Sequence, residues 1–292
     1  MNALIQFVID AASVGSLFAL LGLGIALIFG IMGLVNFAHA ELIMFGGYLL
    51  FLTSDLPWPL PWLICIVGVV ILALAMERVA FRKIRGADPA TGLIASFAVA
   101  FLLQNVAILV FGGRPKSVAM PAILQEFVTF DGIRIPFLNL LIIGTTAVIL
   151  VALWAFLGRT AMGVQMRAAA EDFDVARLLG VRADRVIAVA FALSGVLAAV
   201  AAIFLVAQTG TLTPTMGVWP VLIAFAVTII GGLGSLSGAV LSGFVLGALT
   251  VAFQTLLPLE IRPYRDAFVF GGLILLLLLR PRGLIPPRVA RV

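Results

Sequence analysis

One stretch of the chain, Asn36–Leu49, places polar and ionisable side chains between long apolar runs. These side chains are Asn36, His39 and Glu41. Because ionisable groups are costly at membrane depth, they usually have a functional role where they occur there. The three side chains could therefore line or gate a path for a solute. Alternatively, they lie at the membrane surface where two helices join, and the sequence leaves both positions open.

A second stretch, residues 231–247, combines many glycines with hydroxyl groups. Glycine at this density lets a helix unwind and lets backbones approach closely. One interpretation is a broken helix that lines the same path with Gly234, Ser235 and Ser237. The other is tight helix packing without a ligand, because small residues at four-residue spacing are common in membrane bundles.

A third stretch, residues 158–186, holds nine of the 31 charged residues of the chain (18 basic and 13 acidic). Residues 171–179 are expected to form a short helix, with acidic groups in the first turn and Gly180 at the C-terminal cap. Asp174 and Arg177 have the spacing of an ion pair. The helix is too apolar to be freely solvated. It is expected to pack on the protein's own spans, on the membrane surface or in a partner's groove.

No enzyme motif accompanies these stretches. The sequence has no Gly-x-Ser-x-Gly motif, no His-Glu-x-x-His motif and no Gly-x4-Gly-Lys-Ser/Thr phosphate loop. A single His and a single Cys leave no cluster for a metal. We therefore expect no catalytic residue, no metal site and no bound cofactor. If the protein works by ATP hydrolysis, the ATPase is another polypeptide.

The composition indicates a membrane protein. Of the 292 residues, 63% are hydrophobic and 11% are charged, and the mean hydropathy is +1.26. Soluble proteins carry about 25% charged residues. The pI near 10.3 does not indicate nucleic-acid binding, because the basic residues stand in short loops, where they orient membrane spans. No linker divides the chain, so residues 1–292 are interpreted as one transmembrane domain.

The apolar runs predict an all-α fold, a polytopic transmembrane bundle of eight or nine segments. The long runs are Leu4–Phe29, Trp62–Met76, Gly92–Phe111, Phe137–Leu157, Val186–Val206 and Ala267–Leu279. The short or Gly-interrupted runs, typical of broken or re-entrant helices, are Ala40–Leu52, Val218–Ile230 and Ala239–Leu257. A possible internal repeat aligns Gly33–Phe45 with Gly232–Phe244. Paired interruptions of this kind indicate a transport site near the repeat interface.

Basic residues concentrate in three places, which hold 13 of the 18 in the chain: the 78–85 loop, the central 158–186 loop, and the tail with Arg280, Arg282, Arg288 and Arg291. All three are expected on the cytoplasmic side. The 112–136 loop mixes both charges with three prolines and is expected on the external side.

The sequence resembles the permease subunits of branched-chain amino acid ABC importers. The resemblance covers nearly the whole chain and rests on "SLFALLGLGIALIFGIMGLVNFAHAELIMFGGYL", "MRAAAEDFDVARLLGV", "GGLGSLSGAVLSG" and "LLRPRGL" in this order. ABC importer permeases share a loop pattern Glu-Ala-Ala-x3-Gly. Here "DVARLLG" retains Ala176 and Gly180, has Asp174 and Val175 at the first two positions, and lacks the pattern's later Leu-Pro.

The resemblance implies several partners. A second homologous permease subunit, in a heterodimer or a homodimer, would share one path in the lipid membrane. Two ATPase subunits would bind ATP and Mg, and a periplasmic binding protein would deliver the substrate. Residues 158–186 would form the cytoplasmic coupling loop on the ATPase. The residues expected to make this contact are Glu171, Asp172, Phe173, Asp174, Ala176, Arg177 and Gly180.

The expected function is thus the permease subunit of an ATP-driven importer in the bacterial inner membrane. It would move branched-chain or related amino acids, or similar small polar solutes, by alternating access. An ion-coupled secondary transporter or channel would also explain the paired broken segments, but not the charged central helix. A membrane scaffold without a path is a third alternative, which the buried polar residues oppose only weakly. Specificity for one solute would lie largely in the binding protein.

Overall fold

The computed structural model describes residues 2–130, 133–280 and 283–285. Over these residues the chain forms eleven α-helices, six of which are long and apolar enough to cross a membrane. The six are α1 (Asn2–Met32), α3 (Leu60–Val79), α4 (Pro89–Phe111), α5 (Phe137–Arg159), α8 (Ala183–Thr209) and α10 (Leu236–Leu256). The others are α2 (His39–Leu52), α6 (Ala161–Glu171), α7 (Phe173–Leu178), α9 (Val218–Gly231) and α11 (Arg265–Leu279).

The predicted all-α polytopic fold is confirmed. Each apolar run of the sequence coincides with a helix of the structure, and most bounds agree within a few residues. Helices α2 and α9 are apolar but have only 14 residues each, too few to span a bilayer alone. The number of crossings, eight or nine, therefore stays a prediction.

Helices α1 and α8 form the core of the bundle. Their apolar windows are 83% and 78% buried, whereas those of α4 and α5 are only 11% and 17% buried. An apolar helix that its own chain leaves uncovered must face lipid or another membrane subunit. The outer faces of α4 and α5 therefore lie against one or the other.

Small residues let α1 pack closely against α10. A Cβ atom on Gly243 would lie 2.6 Å from the Cα atom of Ala19, and one on Gly247 would collide with Gly15. Near the other end of α1, Gly30 meets Gly234, just before α10 begins. Residues early in α1 contact residues late in α10, and residues late in α1 contact the segment just before α10, so the two helices are antiparallel. Small side chains of this kind are the usual means by which helix backbones approach in membranes.

Two of the three basic regions are joined directly at one end of the bundle, called the basic end below. Arg82 and Arg85, which follow α3, both pair with Asp184 in the first turn of α8. Arg85 also pairs with Glu77, which is buried in the last turn of α3. These ion pairs fix the 78–85 loop to the end of the central loop.

The C-terminal segment reaches the same end. The N–H group of Leu284 donates to the carbonyl oxygen of Ile230 at the end of α9, at 2.6 Å. The end of α1 also lies here, since residues 29–33 line one cavity with residues 85–87 and 169–174. Of the tail's basic residues, Arg282, Arg288 and Arg291 lie outside the described residues.

The opposite end carries two small antiparallel ladders that the sequence did not predict. Strand β1 (Lys116–Ser117) pairs with β4 (Thr211–Leu212), and β2 (Phe127–Phe130) pairs with β3 (Ile133–Pro136). The strands have two to four residues, which is too short for a hydrophobic alternation to reveal them. The first ladder fixes the 112–136 loop beside the end of α8.

The two half-length helices arise in the same way. Helix α1 ends at Gly33 and α8 ends at Gly210, two glycines in the left-handed conformation (φ +62° and +64°). A non-helical segment then leads into α2 or α9. Because α1 ends at the basic end and α8 ends at the opposite end, the two units are inverted relative to each other. The aligned segments 33–45 and 232–244 also share a left-handed glycine, but they pair half-length α2 with full-length α10.

Replacing Arg85 with Ala would leave the buried Glu77 carboxylate without its cation, so we expect the free energy of unfolding to fall by about 3 kcal/mol. Replacing Arg82 with Ala is the control: its side chain is 45% exposed, and its loss should cost less than about 1 kcal/mol. Unfolding in mixed SDS–detergent micelles measures both variants. Equal losses would contradict the stabilising role of the Glu77–Arg85 pair.

Candidate functional site

The candidate site is a cavity between the first turns of α2 and α9 and one face of α4. It is open on one side, where Phe101 is 61% and Leu222 49% exposed. Its volume is about 250 Å³. Most of its wall is apolar, and Glu41 and Gln104 are the polar side chains that line it. The apolar lining is formed by Phe37, Ala40, Phe97, Ala100, Phe101, Val218, Val221 and Leu222. A small concave site with an apolar wall and few polar groups is typical of small-molecule binding.

Helix α2 begins inside the bundle rather than at its surface. The ring of His39, its first residue, lies against Gly24 of α1 and within 3.1 Å of the Ser194 hydroxyl of α8. Gly24 lies about two turns before the end of α1, and Ser194 about three turns after the start of α8. From the sequence, the stretch Asn36–Leu49 could lie either at membrane depth or at the membrane surface. The structure supports membrane depth.

Helix α9 begins opposite the first turn of α2. Gly217, just before α9, packs against the backbone of Ala40, and Trp219 packs on Phe18, near the middle of α1, with ring centroids 5.9 Å apart. Helix N-termini carry a partial positive charge. Two such ends therefore meet at mid-depth beside the cavity, as in transporters whose broken helices bind charged groups of their substrates.

Asn36 has a structural role in this arrangement. It is fully buried, and its Oδ1 atom accepts a hydrogen bond from the N–H group of Ala38 at 3.1 Å. The N–H group of Phe37 donates to the Ser96 hydroxyl of α4 at 3.3 Å. These bonds hold the segment before α2 and place the Phe37 ring on Phe97, with centroids 4.1 Å apart. Asn36 thus shapes the cavity without lining it.

His39 also acts as a structural contact. Ser194, its hydrogen-bond partner, donates to the carbonyl oxygen of Gly24 at 3.0 Å. A side chain on Gly24 would collide with the imidazole, so the glycine makes room for the ring. The imidazole joins the start of α2 to both core helices and does not line the cavity.

Glu41 is the member of the predicted trio that lines the cavity. Glu41 is only 4% exposed, and its Oε2 atom has no hydrogen-bond partner within the described part of the chain. The cavity therefore contains one buried carboxyl group with unused hydrogen-bonding capacity.

The structure does not bring Gly234, Ser235 and Ser237 to this cavity. They lie at the basic end: Gly234 and Ser235 in the turn before α10, and Ser237 in its first turn. Ser235 caps α10 by accepting from the N–H group of Gly238 at 3.1 Å, and Ser237 is exposed. Gly234 has a left-handed backbone (φ +83°) and lies against Gly30. Capping accounts for Ser235 and close packing for Gly234, and a role of the three residues in a path stays a prediction.

The short helix predicted over 171–179 corresponds to α7, and α6, which the sequence did not predict, precedes it. Asp172 separates the two helices, because its carboxylate caps α7 by accepting from the N–H groups of Asp174 (3.0 Å) and Val175 (2.9 Å). A short acidic side chain favours this capping position over a helix interior. The ion pair expected between Asp174 and Arg177 does not form among the residues described.

Gly180 ends α7 as predicted. Its φ of +88° is left-handed, its N–H group donates to Arg177 and the next N–H group, of Val181, donates to Ala176. This pair of bonds is the Schellman motif, which glycine favours.

Helix α7 and the residue after it present an apolar surface, as the sequence predicted, at two leucines that were not among the predicted contact residues. Ala176 is buried, whereas Leu178 and Leu179 are 87% and 80% exposed. Of the other residues predicted to contact an ATPase, Phe173 is half-buried, and Glu171, Asp172, Asp174, Arg177 and Gly180 are exposed. Two exposed leucines beside charged groups are typical of a docking surface. The sequence indicates this surface because the short helix has more apolar residues than one buried face can hold.

Comparison with known proteins identifies relatives over the full length of the chain. Residues 7–278 match the family model described as "Branched-chain amino acid transport system / permease component". The high-affinity branched-chain amino acid transport system permease protein BraD of Pseudomonas aeruginosa is 33% identical, over 99% of this chain and 98% of the relative. LivH of Escherichia coli K12, which has the same description, is 32% identical over 99% and 97% of the two chains.

A more distant relative has a different description. The autoinducer 2 import system permease protein LsrC of Shigella flexneri is 32% identical over 64% of this chain and 54% of its own length.

Replacing Gly217 with Val should separate the first turns of α2 and α9. Its Cβ atom would lie only 2.7 Å from the carbonyl carbon of Ala40, and overpacking of this kind costs about 2 kcal/mol. Gly144→Val in α5 is the control, because a Cβ atom there meets nothing within 4 Å. The melting temperature in detergent should fall for the first variant alone. An unchanged melting temperature would contradict the close contact.

Proposed function

The chain belongs to the permease-component family of branched-chain amino acid transport systems, and from this premise we propose that it carries branched-chain or related amino acids across the bacterial inner membrane. Membership makes it a multi-pass permease subunit of an ABC transport system and not an enzyme. It also implies ATPase and binding-protein partners.

The cavity between α2 and α9 is the proposed substrate path. The observation that carries this proposal is the meeting of two inverted half-length helices beside a cavity at mid-depth. Non-helical backbone within a membrane is tolerated only where protein buries it or where it lines a cavity. The apolar wall suits an aliphatic side chain, while Glu41 and the two helix starts suit charged groups. Inverted units on either side of one site are the usual basis of alternating access.

The surface of α7 is the proposed contact with the ATPase. Leu178 and Leu179 would enter its groove, and the charged groups predicted from the sequence would surround them. ATP and Mg would bind to the ATPase subunits, and this chain would bind no cofactor. Because α6 and α7 lie beside the end of α1 at the basic end, a movement of the ATPase would reach the core of the bundle.

The exposed faces of α4 and α5 are the proposed contacts with lipid and with a second permease subunit. One second permease, two ATPase subunits and one periplasmic binding protein would complete the importer. The function is tested by leucine uptake into proteoliposomes that contain all subunits. Uptake should require ATP. Uptake driven by an ion gradient without ATP would instead support the secondary transporter considered from the sequence.

Replacing Gly180 with Val should impair coupling, because a β-branched residue at φ +88° strains the backbone by about 1–2 kcal/mol. Gly180→Asn is the matched control, since Asn tolerates this conformation. The ratio of leucine imported to ATP hydrolysed should fall for Val and be retained for Asn. Normal coupling in the Val variant would count against α7 as the coupling element.

Replacing Leu178 with Asp should weaken ATPase binding without unfolding the bundle, because the side chain is 87% exposed. The control is Leu259→Asp, an equally drastic change at a 74% exposed leucine near the opposite end of the bundle. Co-purification of the ATPase with each variant measures the difference. Equal recovery of the ATPase would contradict docking at α7.

A further inference from the structure

We propose that the Glu41 carboxylate binds the α-ammonium group of the substrate in the cavity between α2 and α9. This inference rests on the proposed function, because it assumes that the cavity is the substrate path. It assigns to one side chain the recognition of a free amino group.

Glu41 is not needed to cap α2. It is the third residue of the helix, and a glutamate there commonly reaches back to the N–H group of the capping residue. The capping residue is Ala38, and Asn36 already accepts its N–H group. The N–H groups of His39, Ala40 and Glu41 donate to the carbonyl oxygens three residues earlier, at 3.1–3.4 Å. The start of α2 therefore leaves the Glu41 carboxylate free.

The carboxylates of the spanning helices α1, α3 and α8 have partners, whereas Glu41 has none within the described residues. Glu77 pairs with Arg85, and Asp10 accepts hydrogen bonds from Gln6 and Asn139. Glu41 takes part in no ion pair of the described residues, and its Oε2 atom has no partner there. A buried, ionised carboxylate without a counter-ion is strongly unfavourable. A cation in the cavity would give an ionised Glu41 the partner that the described residues do not supply.

The rest of the cavity indicates which cation is suitable. Phe97, Phe101, Val221 and Leu222 form an apolar wall that a bare metal ion would leave unused. The start of α9 turns the positive end of its dipole toward the same space. A ligand with an ammonium group, a carboxylate and an aliphatic side chain would match all three features. An amino-acid zwitterion has this composition.

The test measures binding to the whole importer in lipid nanodiscs, without nucleotide and without the binding protein. Ligand-observed NMR suits the weak affinities of a transport site. The two probes are L-leucine and 2-hydroxy-4-methylpentanoate, in which a hydroxyl replaces the ammonium group. The wild type should prefer leucine. Glu41→Gln should weaken leucine binding about tenfold or more and should not weaken binding of the hydroxy acid.

Two further variants separate recognition from structure. Asp10→Asn also neutralises a carboxylate of the bundle, a half-buried one with its own hydrogen-bond donors, and should keep the preference for leucine. Glu41→Asp retains the charge and should keep part of the preference. ATPase activity stimulated by the loaded binding protein confirms that each variant is folded and assembled.

Three results would overturn the assignment: no binding of leucine to the wild type, unchanged leucine affinity in Glu41→Gln, or an equal loss for both ligands. A cation from the second permease subunit as the partner of Glu41 would give the second result. ATP-dependent leucine uptake by the wild type, measured in parallel, tests the proposed function separately. Uptake together with any of the three results rejects only the role of Glu41.

Discussion

The start of a helix inside the membrane, after a non-helical segment, is the constraint on which the rest of the structure depends. Backbone N–H and C=O groups without partners cost several kcal/mol each in lipid, so a break at this depth must be supplied with partners. Asn36 and Ser96 supply them before α2, by accepting from the N–H groups of Ala38 and Phe37. The residues that satisfy the break thereby also place Phe37 in the wall of the cavity.

Such a break persists only inside a closely packed core. Helices α1 and α8 form that core, and glycines on α1 allow α10 and the His39 ring to approach its backbone. The same packing explains why three neighbouring polar residues have different roles. Asn36 and His39 are used to hold the start of α2, which leaves Glu41 as the one of the three that lines the cavity.

Much of the fold could be predicted from hydropathy alone, because each long apolar run requires a helix of matching length. The half-length helices were also visible, as short runs beside glycine and polar residues. The sequence does not reveal which segments are related by inversion. The two inverted units share opposite helix directions and the left-handed glycines Gly33 and Gly210, but few side chains that an alignment could detect. The predicted alignment followed residue identities and paired α2 with a full-length helix.

Part of the candidate site could also be predicted from the sequence. An ionisable residue in an apolar run indicates function, and both His39 and Glu41 are residues of this kind. Their separate roles depend on which atoms lie within hydrogen-bond distance, and neither composition nor spacing reports this. Ser235 and Asp172 are predicted site residues whose observed roles are local. Each is a helix cap, a local role that competes with any functional interpretation of a polar residue beside a glycine or an acidic cluster.

The central claim is that the cavity between α2 and α9 opens alternately to the two sides of the membrane. The most direct measurement is the labelling of a cysteine introduced at Ala100, in the cavity wall, within the complete importer after Cys65 is replaced by Ala. A membrane-impermeant thiol reagent should label it from the basic end without nucleotide and from the opposite end when ATP is bound. Labelling from the same side in both states, or from neither side, would contradict the account.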